Sequence, residues 1–158
     1  MTLYSVLVAS EPLPTIDCTG ITEIPVRELK KLYPITQETP EQPWHSMSDD
    51  AMILHAPDGL TFGRLNIFKL DKPLYDLENY NYQPYVYGVE GNWDSTFLND
   101  LLNYVRQSIK KEQGAELIRF WVGEYYRTLS TVHINIEDIE LHHLENIKNE
   151  KYIRIIFE

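Results

Sequence analysis

The chain has a single cysteine, Cys18, among its 158 residues. One thiol forms no internal disulfide and builds no cysteine-rich metal site. A reducing compartment, and hence a cytoplasmic location, is the expectation. Long apolar runs are missing as well: none approaches the roughly 20 residues that a membrane helix requires. Met1–Ser10 is apolar but short and lacks a basic leading region, so no signal peptide is expected. Basic residues are scarce, 14 against 24 acidic, for a formal net charge of −10. Such a polyanion repels phosphate backbones and anionic lipid, so neither nucleic acid nor a membrane surface is an expected partner. Several motifs are also absent. Gly-x-Ser-x-Gly, Gly-x-Gly-x-x-Gly and Gly-x-x-x-x-Gly-Lys do not occur, and neither does His-x-x-x-His or His-Glu-x-x-His. These absences lower the case for a nucleotide enzyme, a serine hydrolase of the elbow type or a helical zinc protease.

What is present is enough to fold. Hydrophobic residues make up 43% of the chain, and a chain of this length can bury a core without covalent staples. Residues 1–158 read as a single domain, with a β-rich part over 1–84 and a more regular part over 85–158. In the first part, Leu3–Ala9 reads as a strand and Val26–Tyr33 as a helix with Pro25 in its first turn. Ala51–Ala56 and Phe62–Leu70 are apolar enough for strands. Pro57-Asp58-Gly59 between them is a turn signal, which predicts a hairpin. Ser10–Gly20, Ile35–Asp50 and Asp71–Pro84 read as loops.

The second part opens with a continuous apolar run, Tyr85–Val89, expected to be a buried strand. Asp94 or Ser95 then caps a helix whose core stripe is Phe97, Leu98, Leu101, Leu102, Val105 and Ile109, stopping at Gly114. Leu117–Val122 and Tyr126–Ile134 read as strands joined by a two-residue turn at Gly123-Glu124. Asn135 caps a helix over Ile136–Ile147, and Tyr152–Phe157 closes the chain as a strand. The expected fold class is α+β, a mixed or antiparallel sheet with helices packed on it. The order from Tyr85 is β-α-β-β-α-β, the ferredoxin-like order.

Candidate chemistry is thin. His133, His142 and His143 with Glu137 or Glu140 carry metal-ligand chemistry, but neighbouring histidines on a helix point about 100° apart, so no metal site or other cofactor is expected. Asp49 with Asp50, and Glu137 with Asp138 and Glu140, are acids without evidence of a shared cleft. They serve equally as solvated loop residues and first-turn helix acids. Cys18 lacks a basic neighbour to activate it. No catalytic residue is assigned.

One stretch stands out. Residues 71–100 hold six acids and one base, Lys72, so half of the net charge sits in 30 residues. Tyr75, Asp76, Glu78, Tyr80, Tyr82 and Trp93 fall in it and form the candidate partner-binding set. Tyrosine and tryptophan are frequent interface anchors, and adjacent carboxylates steer a basic partner. The same rings serve equally well as core or as pins for the loop. The leading expectation is a non-enzymatic acidic binding domain that engages a basic protein, such as an inhibitor or immunity protein against a cationic toxin. Two others stay open: a small enzyme or small-molecule-binding module on a ferredoxin-like scaffold, and a homo-oligomer that pairs through the final strand Tyr152–Phe157.

Overall fold

A computed structural model of the chain describes residues 2–72, 74–123 and 126–158. In chain order the elements are β1 (Thr2–Ala9), β2 (Ile16–Asp17), β3 (Thr22–Pro25), α1 (Val26–Leu32), β4 (Met52–His55), β5 (Asn66–Lys69), β6 (Tyr85–Glu90), α2 (Ser95–Ser108), β7 (Glu116–Val122), β8 (Ser130–Ile134), α3 (Leu141–Glu145) and β9 (Ile153–Phe157). They group into two compact units, Met1–Cys18 with Gly63–Glu158, and Thr19–Phe62. The α+β class expected from composition and periodicity is what the chain adopts.

The larger unit is built on one seven-stranded sheet in the order β2-β5-β6-β1-β7-β9-β8. Every neighbouring pair is antiparallel except β8 with β9. Strand β1 lies at the centre and is covered on both sides. Leu7 and Ala9 enter one hydrophobic cluster, whereas Val6 and Val8 enter another. Because successive side chains alternate between faces, a strand buried on both reads as an unbroken apolar run.

Helix α2 and the short α3 supply the first cluster. Asp94 caps α2 by accepting from the Phe97 amide at 2.9 Å, and Phe97, Leu98, Leu101, Leu102 and Val105 are buried. The helix stops at Ser108, six residues before the expected glycine. Gln113 accounts for this: its side-chain oxygen accepts from the Lys110 amide at 2.7 Å and stabilises a separate 3-10 turn, Lys111–Gln113, which Gly114 ends at φ 55°. Among the described residues of the larger unit, no α-helix contributes to the cluster on the opposite face of the sheet. It is covered by Leu77 and Tyr80 with the partly buried Tyr4, Leu70, Leu74, Val86, Val122, Leu129 and Tyr152.

From β6 onward the chain order is β-α-β-β-α-β. In space β1 sits between β6 and β7, and β9 sits between β7 and β8. Three pairing expectations are corrected by this arrangement. Strands β7 and β8 do not form a hairpin; β7 pairs with β1 and β9, and Glu124 of the expected turn lies outside the described residues. The final strand is not an edge, since β8 covers it. The strands flanking Pro57-Asp58-Gly59 lie in different sheets, β4 with β3 and β5 with β2 and β6. Residues Gly59–Gly63 form a 3-10 turn instead. The helix expected over Ile136–Ile147 is split into a 3-10 turn, Ile136–Asp138, and α3. Asn135 does cap the first piece, accepting from the Glu137 amide at 3.0 Å.

The smaller unit, Thr19–Phe62, consists of the β3–β4 pair and α1. Its helix is tied to the segment before β4 by backbone bonds, Val26 N–H to Ala51 at 2.8 Å and Arg27 N–H to Asp49 at 3.0 Å. Arg27 pairs with Asp50, and Lys30 with Asp49 at 2.6 Å. No helix among the described residues is long and apolar enough to cross a membrane.

Candidate functional site

The segment between β5 and β6 packs on the face of the sheet opposite α2, and it contains most of the residues singled out by composition. Two of its side chains, Leu77 and Tyr80, are each only 5% exposed and act as anchors. Tyr80 packs against Phe120 of β7 at 5.1 Å between ring centroids and stacks on Tyr126 at 5.4 Å and 16°. Its hydroxyl accepts from the Arg127 amide at 3.3 Å, and its carbonyl accepts from Nη2 of Arg154. Arg154 is itself held by Glu116, 3.4 Å away. Tyr80 therefore leaves the candidate surface and joins the core.

Asp76 has a left-handed backbone, φ 66°, and its carboxylate accepts from the Gly123 amide at 3.0 Å. A non-glycine residue in this region costs backbone energy, which the hydrogen bond offsets. Asn81 closes a local turn, accepting from the Gln83 amide at 2.7 Å. The segment is thus tied to the rest of its unit at three points, Asp76, Leu77 and Tyr80.

On either side of the anchors, Tyr75 and Tyr82 project outward, 72% and 95% exposed. Glu78 is exposed beside them. A cleft of about 380 Å³ opens next to the segment, with Leu70, Leu74, Leu77 and Val86 as its apolar part and Lys69, Asp71, Lys72, Glu78 and Asn81 as its polar part. A smaller cleft of about 190 Å³ lies beside Tyr82, next to Arg154 and Glu116.

The charge is less concentrated in space than along the chain. Of the six acids in 71–100, Asp94 caps α2. Asp100 is held by Arg64 through two hydrogen bonds of 3.0 and 2.8 Å, which raises the guanidinium pKa further. Glu90 ends β6 on a different part of the sheet. Asp71, Asp76 and Glu78 stay with the segment, accompanied by Lys69 and Lys72 at the larger cleft. Trp93 is drawn away as well: its ring packs 4.9 Å from Phe97 and covers the guanidinium of Arg119 at 3.9 Å.

The other candidates are dispersed. Among the described residues no group of three or more His, Cys, Asp and Glu side chains is arranged to hold a metal ion. His142 lies 3.2 Å from Glu140, whereas His143 accepts from the Glu140 amide at 3.0 Å and so closes the first turn of α3. His133 contacts Glu158 at 3.3 Å, and His55 contacts the Tyr33 hydroxyl at 3.2 Å. Burial, with Asp100 nearby, pushes the Cys18 thiol up, the wrong direction for a nucleophile. Asp49 is held below the usual carboxylate range by its hydrogen bond from Lys30, which suits an ion pair and not a proton carrier.

Two features escape a reading of the sequence. The cleft needs the pairing of β5 with β6, and the buried arginine of β7 has the spelling of any charged strand residue. No protein-family model, characterised protein or solved structure matches the chain.

Proposed function

We propose that the protein is a non-enzymatic binding domain that grips a protein partner with the anchored segment Tyr75–Tyr82. The observation that carries this reading is the contrast along eight residues. Tyr75 is largely and Tyr82 almost fully in solvent, while Leu77 and Tyr80 between them are packed into the core. Large rings held outward on a fixed backbone lose little entropy on contact, which is how interface anchors gain affinity. The adjoining cleft, apolar at its base, suits an inserted side chain.

Asp71, Asp76 and Glu78, together with the overall charge of −10, favour a basic partner and fast, salt-sensitive encounter. An inhibitor or immunity protein acting on a cationic toxin in the cytoplasm fits this chemistry. The test is affinity capture from the native cell by wild type and by a Glu78→Lys/Tyr82→Ala variant, each at low and high salt. The proposal expects one basic protein, held by wild type, weakened by salt and lost by the variant. Capture indifferent to both changes would count against it.

A second reading has one specific observation in its favour. The cleft of about 380 Å³ is of a size for small molecules, so a small-molecule-binding module, on a scaffold related to the ferredoxin-like order, is the alternative. A small ligand would bind equally well after Tyr82→Ala if it sits among Leu70, Leu74 and Val86, which separates the two readings.

A further inference from the structure

Arg119 lies midway along β7, on the face that carries α2, and is only 5% exposed. An arginine stays charged, so its burial is costly unless an anion or several acceptors meet it. Here Nη1 donates to the Lys148 carbonyl at 2.7 Å, and the guanidinium lies under the Trp93 ring. Nε is buried with no hydrogen-bond partner, and among the described residues no carboxylate pairs with this guanidinium. Burial alone lowers its pKa to about 10. Trp93 above it has a left-handed backbone, φ 55°, which a bulky residue seldom adopts and which recurs at functional sites. A buried cation without a paired carboxylate and an aromatic cover with a left-handed backbone therefore meet at one place.

The same molecule shows what such an arginine does when satisfied. Arg64 donates from Nε and Nη2 to the two oxygens of Asp100. On Arg119 the Nε of that same edge is buried without an acceptor, and among the described residues the hydrogen bond of its guanidinium is made by Nη1. We propose that Arg119 anchors a site for a small monocarboxylate, with Trp93 as its movable cover. The carboxylate takes the Nε and Nη2 protons side by side, as Asp100 does on Arg64. Ser5, the residue opposite Arg119 across the β1–β7 pair, stands on the same face as a further donor. A planar two-oxygen group matches the guanidinium edge, and a single negative charge balances a single cation.

The full chain is titrated with sodium acetate against sodium chloride at equal ionic strength, following the thermal midpoint and the near-ultraviolet circular dichroism of tryptophan. The expected result is a saturable rise of roughly 4 °C at ten times the Kd, given the midpoint shift typical of a chain this size. A change in the tryptophan band should accompany it and vanish in Trp93→Phe. Arg119→Met, which removes the buried charge at similar volume, should show no saturable response. Should that variant fail to fold, Arg119→Lys keeps the charge but loses the paired edge, and its acetate response should weaken at least tenfold. Equal responses to acetate and chloride in wild type, or a saturable acetate response that survives in Arg119→Met or is undiminished in Arg119→Lys, overturns the proposal.

Discussion

Tyr80 and Tyr82 are two residues apart and chemically identical, yet replacing each by alanine should have opposite consequences. The Tyr80 ring is 5% exposed, wedged between Phe120 and Tyr126, whereas Tyr82 is 95% exposed. Truncating a buried aromatic to alanine costs about 3–5 kcal/mol, from lost transfer energy and the cavity left behind. Tyr80→Ala also frees the Arg127 amide from its acceptor. With a urea m-value of about 2 kcal/mol per molar, the midpoint should fall by roughly 2 M. Tyr82→Ala removes nothing that is packed and should stay within about 0.5 kcal/mol of wild type, a shift below roughly 0.3 M. Tyr80→Phe isolates the hydroxyl and should cost about 1 kcal/mol. The assay is equilibrium urea unfolding followed by far-ultraviolet circular dichroism. Comparable losses for Tyr80→Ala and Tyr82→Ala would refute the division into anchor and exposed ring on which the binding surface rests.

Other outcomes follow from the same physical picture. Tyr104 is buried, donates to the Pro14 carbonyl at 2.7 Å, and is pushed well above the ordinary tyrosine pKa by that burial. The folded state therefore holds the phenol proton more tightly than the unfolded chain does. The contribution is complete below about pH 10 and declines as pH rises beyond it. In urea midpoints taken from pH 8 to 11, Tyr104→Phe should start lower, by about 1 kcal/mol, and fall less steeply than wild type; parallel curves would refute the assignment. Gly88 faces Phe68, whose Cζ would lie 2.5 Å from an added Cβ, so Gly88→Ala should destabilise by about 1–3 kcal/mol in the same unfolding assay, and a neutral result would show that the ring yields freely.

How much of this was legible beforehand depended on whether a signal was local. Helix α2 was legible because its cap and its apolar stripe lie within fifteen residues and obey one period. Strands β1, β6, β7 and β9 announced themselves through apolar runs. Their neighbours did not, because the register between β1 and β7 joins residues more than a hundred positions apart and leaves no mark in either segment. The turn signal at Pro57-Asp58-Gly59 was local and real, but a turn does not require its flanks to pair. Acids clustered along 71–100 diverged because Asp94 and Asp100 answer to a helix end and to Arg64. Of the candidate set, Tyr75, Asp76, Glu78 and Tyr82 remain together on one anchored segment. Tyr80 serves the core, and Trp93 serves Arg119. A tyrosine looks the same in the chain whether it ends inside or outside.

The most direct measurement is nitration of the tyrosines by tetranitromethane, read by mass spectrometry, with and without the captured basic partner. In the free protein Tyr75 and Tyr82 should react readily, while Tyr80, Tyr87 and Tyr104 stay protected. In the complex Tyr75 and Tyr82 should become protected while the buried three do not change. Nitration of Tyr82 at the same rate in both states would contradict it.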